Sequence, residues 1–253
     1  MLNLLDSPFM VLVLSLCSFW AAALIGAWLH EKTRAPEAGN RDDFKFVLGA
    51  TLTLLGLIIG FTFSMAVNRY EQRKNYEEEE ANAIGTEYVR ADLLPPVDAM
   101  KARALLKSYL DQRILSYKSR DKKQLRQIDS ETRRLQAEMW SAVAAPASAQ
   151  PSPVAALAVS GMNDVLNAQG YTQAAWWNRI PIAAWTLLIV ISIFCNLLVG
   201  YSAHGRNWIL LLILPIALSI SLFLTADIDS PRAGVIRVQP QNLQSLAESL
   251  HSR

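Results

Sequence analysis

The sequence predicts an all-α integral membrane protein, with four transmembrane helices and a helical extramembrane module between the second and third. Three observations carry that prediction. Of the 253 residues, 52% are hydrophobic and 18% charged, and the charges gather between apolar blocks instead of spreading along the chain. Four blocks, residues 8–29, 46–67, 180–201 and 208–226, contain no Asp, Glu, Lys or Arg. Each is long enough, at about 1.5 Å per residue, to cross a hydrocarbon core of about 30 Å. Residues 68–178, between the second and third blocks, show apolar residues at helical spacing and no strand alternation.

The domain boundaries follow: a transmembrane hairpin over 1–67, a helical soluble module over 68–178, a second hairpin over 179–226 and a tail over 227–253. The leader MLNLLD lacks the basic n-region of a secretory signal, so residues 8–29 are expected to stay as a span. Trp20 and Trp28, followed by His30 and Lys32, suit an interfacial helix end. The connector from Glu31 to Lys45 carries Lys32, Arg34, Arg41 and Lys45 around Pro36 and Gly39, and its shortness makes the second span antiparallel to the first.

The second span, 46–67, has two neighbouring faces. Gly49, Thr53, Gly56 and Gly60 fall within about 60° of one another at about 100° per residue, a small-residue face that admits another helix closely. Beside it run Thr53, Leu57, Phe61 and Ser64, a stripe with a hydroxyl at each end and apolar bulk in the middle. Such a stripe serves either as packing between membrane helices or as the constricted lining of a pore.

From Asn68 to Leu94 there is no Pro, so the second span is expected to continue out of the bilayer until Pro95 and Pro96 stop it. Basic residues Arg69, Arg73 and Lys74 come first on this stalk, then the acidic run Glu77–Glu80. Four adjacent carboxylates on a helix point in all directions. They are expected to be solvated or paired with cations of other helices, not to gather round a metal. Helices are predicted over Val97–Ser119, Asp121–Ala145 and Val154–Ala168, with AAPASAQPSP at 144–153 as a loop.

Trp176, Trp177 and Arg179 mark the return to the bilayer. The third span carries Ser192 and Asn196, whose amide is expected to bond across helices or to face a pore. Ser202–Asn207 makes a turn, and the fourth span contains Pro215. Four spans put both termini and the module on one side, but the Lys and Arg count on the two sides does not say which. After the fourth span, Asp227, Asp229 and Arg232 form a docking turn with Ser230 and Pro231 at its corner, and Gln241–Leu250 a short helix.

Several function classes find no support. The formal net charge of +2 and the absence of basic clusters interleaved with aromatics argue against nucleic acid. Cys17 and Cys195 both lie inside apolar blocks, and His30, His204 and His251 are not at metal spacing. There is no phosphate-cradling loop or nucleophile elbow, so neither an enzyme nor a cofactor is expected.

The stretch GFTFSMAVNRYEQRKNYEEEEANAIGTEYVRADLLP, NRIP at 178–181 and ADIDSPRAGVIRV at 226–238 resemble the bestrophin-like domain family of bacteria and plants. That family is distantly similar to bestrophins, pentameric anion channels with four membrane helices per subunit. The bestrophin pattern at the exit of the second span is matched by Gly60, Phe61, Arg69 and Tyr70. It implies a pore narrowed by Phe61 with Leu57 and Thr53, the last more polar than the pattern. The bestrophin calcium clasp would fall on Asp227, Asp229, Ser230 and Pro231, followed here by Arg232 and Arg237. Two carboxylates beside two arginines suit calcium poorly, so no metal is expected.

The resemblance implies a homo-oligomer, possible as a pentamer, in a bacterial inner membrane with its module in the cytoplasm. The expectation is an ion channel with its pore lined by the second span, in which Arg69, Arg73 and Lys74 would favour inorganic anions at the soluble mouth. The competing expectation is a non-conducting scaffold or sensor whose module binds a partner protein, with the stripe buried in packing.

Overall fold

The computed structural model describes residues 7–32, 38–202 and 208–252. It is all-helical among these residues: α1 (Pro8–Lys32), α2 (Ala38–Arg90), α3 (Pro96–Lys118), α4 (Lys122–Ala149), α5 (Pro153–Trp177), α6 (Ile182–Ser202), α7 (Trp208–Asp229) and α8 (Gln241–His251). Four of them are long and apolar enough to cross a membrane. The protein is an integral membrane protein, and its contacts divide into two units, residues 1–70 with 179–237 and residues 71–178 with 238–253.

In the first unit α1 is the hub, packing along both α6 and α7. The α1–α6 crossing is backbone to backbone. A Cβ on Gly26 would land inside the carbonyl of Leu197, and one on Gly200 inside the carbonyl of Ala23. Small residues allow this approach, which in lipid replaces the missing hydrophobic drive between helices. The glycine face expected to receive a helix, on α2, does not receive one within the chain: nothing lies within 4 Å of a Cβ at Gly49, Gly56 or Gly60. Asn196 is also corrected. It is fully buried, and its amide donates to the carbonyl of Ser192 on its own helix at 2.7 Å, not across helices.

Local chemistry sets the helix ends of the second unit. Leu94 is extended, as a residue before Pro must be, and Pro96 occupies the first turn of α3. Asp121 caps α4 through the amides of Lys123 (3.1 Å) and Gln124 (3.4 Å), and Ser152 caps α5 through Ala155 (3.0 Å). The loop expected at 144–153 shrinks to three residues, 150–152. Pro146 lies in the last turn of α4, where its missing N–H costs one bond of a nearly finished ladder. The helix expected over 154–168 runs on to Trp177, because nothing in 169–177 stops it. At the other connector α2 already starts at Ala38, so Arg41 and Lys45 are helical; Arg34 and Pro36 lie outside the described residues. The turn expected at 202–207 lies outside them from 203 onward.

The α1–α6 crossing gives a direct test. Gly200→Val in full-length protein should lower the thermal unfolding midpoint in detergent, at an overpacking cost of about 1–3 kcal/mol or more. Gly56→Ala, which meets nothing in the chain, should fold with an unchanged monomer midpoint. Equal effects of the two would contradict this packing.

Candidate functional site

The functional geometry lies on α2, 53 residues long and so about 80 Å at about 1.5 Å per residue. One line of it is buried from Leu55 onward: Leu55, Thr62, Ala66, Arg73, Glu77, Glu80, Ile84 and Glu87. At about 100° per residue these lie within about 40° of a single line, Leu55 and Arg73 being a whole number of turns apart. The opposite side is bare. In the apolar window of α2 only 11% of residues are buried, against 50% in α7.

The candidate pore residues all fall on the bare side. Thr53, Leu57, Phe61 and Ser64 are exposed, Leu57 at 54% and Phe61 at 63%. The Thr53 hydroxyl donates to the carbonyl of Gly49 at 2.9 Å, so its proton is satisfied by the helix itself. This keeps the stripe less polar than the residue type suggests. The basic trio does not come together as expected. Arg73 is 2% exposed and sits on the buried line, Arg69 is half-buried near it, and only Lys74 is exposed.

The tail residues act as acceptors for backbone. Asp227 accepts from the amides of Val235 (2.7 Å) and Ile236 (2.8 Å), while Gly234 lies so close that a Cβ would strike Asp227. Asp229 accepts from the amide of Ile180 at 3.2 Å, fastening the end of α7 to the start of α6. Arg232 is partly buried beside them.

The acidic run is not uniformly solvated. Glu78 and Glu79 face outward, but Glu77 and Glu80 are buried. Glu80 is paired with Arg113 of α3 and accepts from the hydroxyl of Thr172 of α5 at 3.2 Å. Burial alone would lower the Arg113 pKa; the carboxylate of Glu80 beside it carries it upward instead. Glu77 accepts from the Leu243 amide (2.9 Å) and the Asn242 side chain (2.7 Å) at the start of α8, where Pro240 has no side-chain cap to offer. Its pKa is pushed up by burial, and these bonds pull against that shift.

Glu87, which the sequence did not single out, is the third buried acid. It is fully enclosed, both its oxygens lack partners among the described residues, and it packs where only Gly161 of α5 leaves room. Burial raises its pKa to about 8, Arg90 pulling down and Asp164 pushing up. The signal that would have found these acids is spacing: Glu77, Glu80 and Glu87 fall on the apolar line of Leu55 and Ala66 continued along the helix.

A sequence model of the Bestrophin-like domain matches residues 16–243. The chain belongs to the bestrophin-like family. No curated protein sequence matches it significantly. Its fold is similar to that of a bacterial bestrophin homologue from Klebsiella pneumoniae. One variant crystal structure aligns at TM-score 0.67 and 12% identity, covering 97% of this chain and 98% of that one. A further crystal structure of that homologue, phased on zinc, aligns at TM-score 0.62 and 15% identity, covering 96% and 95%. At such identities the likeness is one of fold, and for a bestrophin-like chain the residues above must carry any functional reading.

Two outcomes follow for the buried charges. Removing one partner of the Glu80–Arg113 pair, as in Arg113→Met, should destabilise by about 3–5 kcal/mol because it leaves the other charge buried alone. For Glu87 the sign is fixed by a folded pKa of about 8 against 4.5 in the unfolded chain. The stabilising proton is held by the fold throughout that window, so stability is full below about pH 4.5 and falls as pH rises to about 8. The Glu87→Gln variant should flatten that slope in thermal melts between pH 5 and 9; a slope identical to wild type would assign it to another group.

Proposed function

We propose that this protein is an oligomeric ion channel whose conduit is lined by the Thr53, Leu57, Phe61 and Ser64 stripe of α2. The bare side of α2 carries the reading. It presents apolar bulk flanked by hydroxyls, next to glycines with open space around them. Copies of the chain packing on those glycines would turn the stripes toward a common axis. A ring of Phe61 and Leu57 then forms a hydrophobic constriction of the kind that gates by wetting and dewetting. Closed cyclic symmetry is the economical arrangement for one repeated surface, and the resemblance to bestrophins favours five copies. The same resemblance favours a bacterial inner membrane with the helical module in the cytoplasm. A non-conducting scaffold requires the stripe to be covered by packing, and within the chain it is bare.

Full-length protein in liposomes tests this by ion flux. Flux above empty vesicles is expected, rising in Phe61→Ala as the constriction widens. Silence in both variants would overturn the reading. The mass of the detergent-solubilised complex should correspond to a closed ring and should fall in Gly56→Leu, whose side chain intrudes on the face between copies.

A further inference from the structure

The membrane unit contains a crevice of about 230 Å³, walled by Val11, Leu14 and Phe19 of α1, Trp185 and Ile189 of α6, and Leu222 of α7. Its walls are mainly apolar, and Ser15, which also lines it, donates its hydroxyl to the carbonyl of Leu12 at 3.1 Å. Trp185 differs. It is 3% exposed, and its indole N–H meets no acceptor among the described residues. An indole nitrogen donates and does not accept, so the missing partner must be an acceptor. Within hydrocarbon no water is at hand to supply one, and a bond left unmade there is costly.

The crevice has a direction. Helices α1 and α6 meet backbone to backbone at Gly26 and Gly200 near their far ends and share the crevice near their starts, so they run side by side the same way. Counting back equally from that crossing sets Trp185 level with Val11, each about 5 Å along its helix from the start. Phe19 lies about 16 Å from the start of α1. The free donor therefore stands at the outer end, where the headgroup layer of a membrane meets its hydrocarbon and Trp is favoured, and the apolar wall runs inward from it. At about 230 Å³ the space is smaller than the about 300–1,000 Å³ that encloses a drug-sized ligand, and it suits a single narrow chain.

We propose that this crevice holds an acyl chain of a phospholipid, the chain lying along Leu14, Ile189 and Phe19 and its ester carbonyl oxygen accepting from Trp185 Nε1. A diacyl phospholipid brings both features in the required order, an acceptor without a proton at the boundary and a methylene chain below it. The site uses no residue of α2 and stands apart from the conduit. Lipid that merely surrounds the spans exchanges freely and takes no account of one N–H.

Native mass spectrometry of the full-length complex, stripped of lipid in detergent and then titrated with defined lipids, tests this. Wild type should bind one phospholipid per chain. Diester phosphatidylglycerol should bind about tenfold more tightly than the diether analogue of the same headgroup and chains, which lacks the carbonyl. Trp185→Phe, which keeps a ring and removes the N–H, should lose that discrimination, whereas Trp28→Phe, at an exposed Trp of α1, should keep it. Val11→Trp, filling the outer end of the crevice, should exclude the lipid with the Trp185 N–H intact. If Trp185→Phe does not fold, wild type with the two lipids and Val11→Trp still decide. Three results would each overturn the proposal: no bound lipid in the wild-type complex, as when a second copy of the chain covers the crevice; equal affinity for the two lipids; or Trp185→Phe discriminating as wild type does.

Discussion

A single helix, α2, buries one line of side chains from Leu55 to Glu87, and that line enters the core of each contact unit. In the apolar part of α2 the line is Leu55, Thr62 and Ala66, which meet the core of the membrane unit. There the surrounding lipid is as apolar as the side chains, so packing, not exclusion from water, holds the helices. Further along the line is Arg73, Glu77, Glu80 and Glu87, all buried. In that unit each enclosed charge requires a partner or a proton.

Those requirements organise the second unit. Glu80 fixes α3 through Arg113 and α5 through Thr172, and Glu77 fixes α8 by accepting from its first amides. Apolar burial closes round them, with Leu106, Leu110, Met139, Met162 and Leu243 in one cluster. A misregistered helix would leave one of these charges alone, at several kcal/mol. The charged line thus supplies specificity where apolar contacts alone would tolerate slippage.

Much of this was legible from residue types alone. The four spans follow from uncharged length and the long stalk from the absence of Pro between Asn68 and Leu94. Family membership was legible too, since the motifs from Gly60 to Pro95 and from Ala226 to Val238 fall within the matched region. What misled was treating each residue by its class. Glycines on α2 looked like the closest helix contact, yet Gly26 and Gly200 make it, because close approach depends on which neighbour arrives, not on how many glycines share a face. Pro146 looked like a loop and sits in a helix end, because a proline there forfeits little.

The sequence by itself determined the spans, the length of α2 and the side of that helix on which Thr53, Leu57, Phe61 and Ser64 lie, because helical periodicity is local and needs no partner. Tertiary structure alone decided which charges are enclosed. Arg69, Arg73, Lys74 and Glu77–Glu80 read as one amphoteric stalk, and only tertiary packing separates Arg73, Glu77 and Glu80 from Lys74, Glu78 and Glu79. Burial is a property of the whole fold, and the electrostatic character of the exposed side is what burial leaves behind.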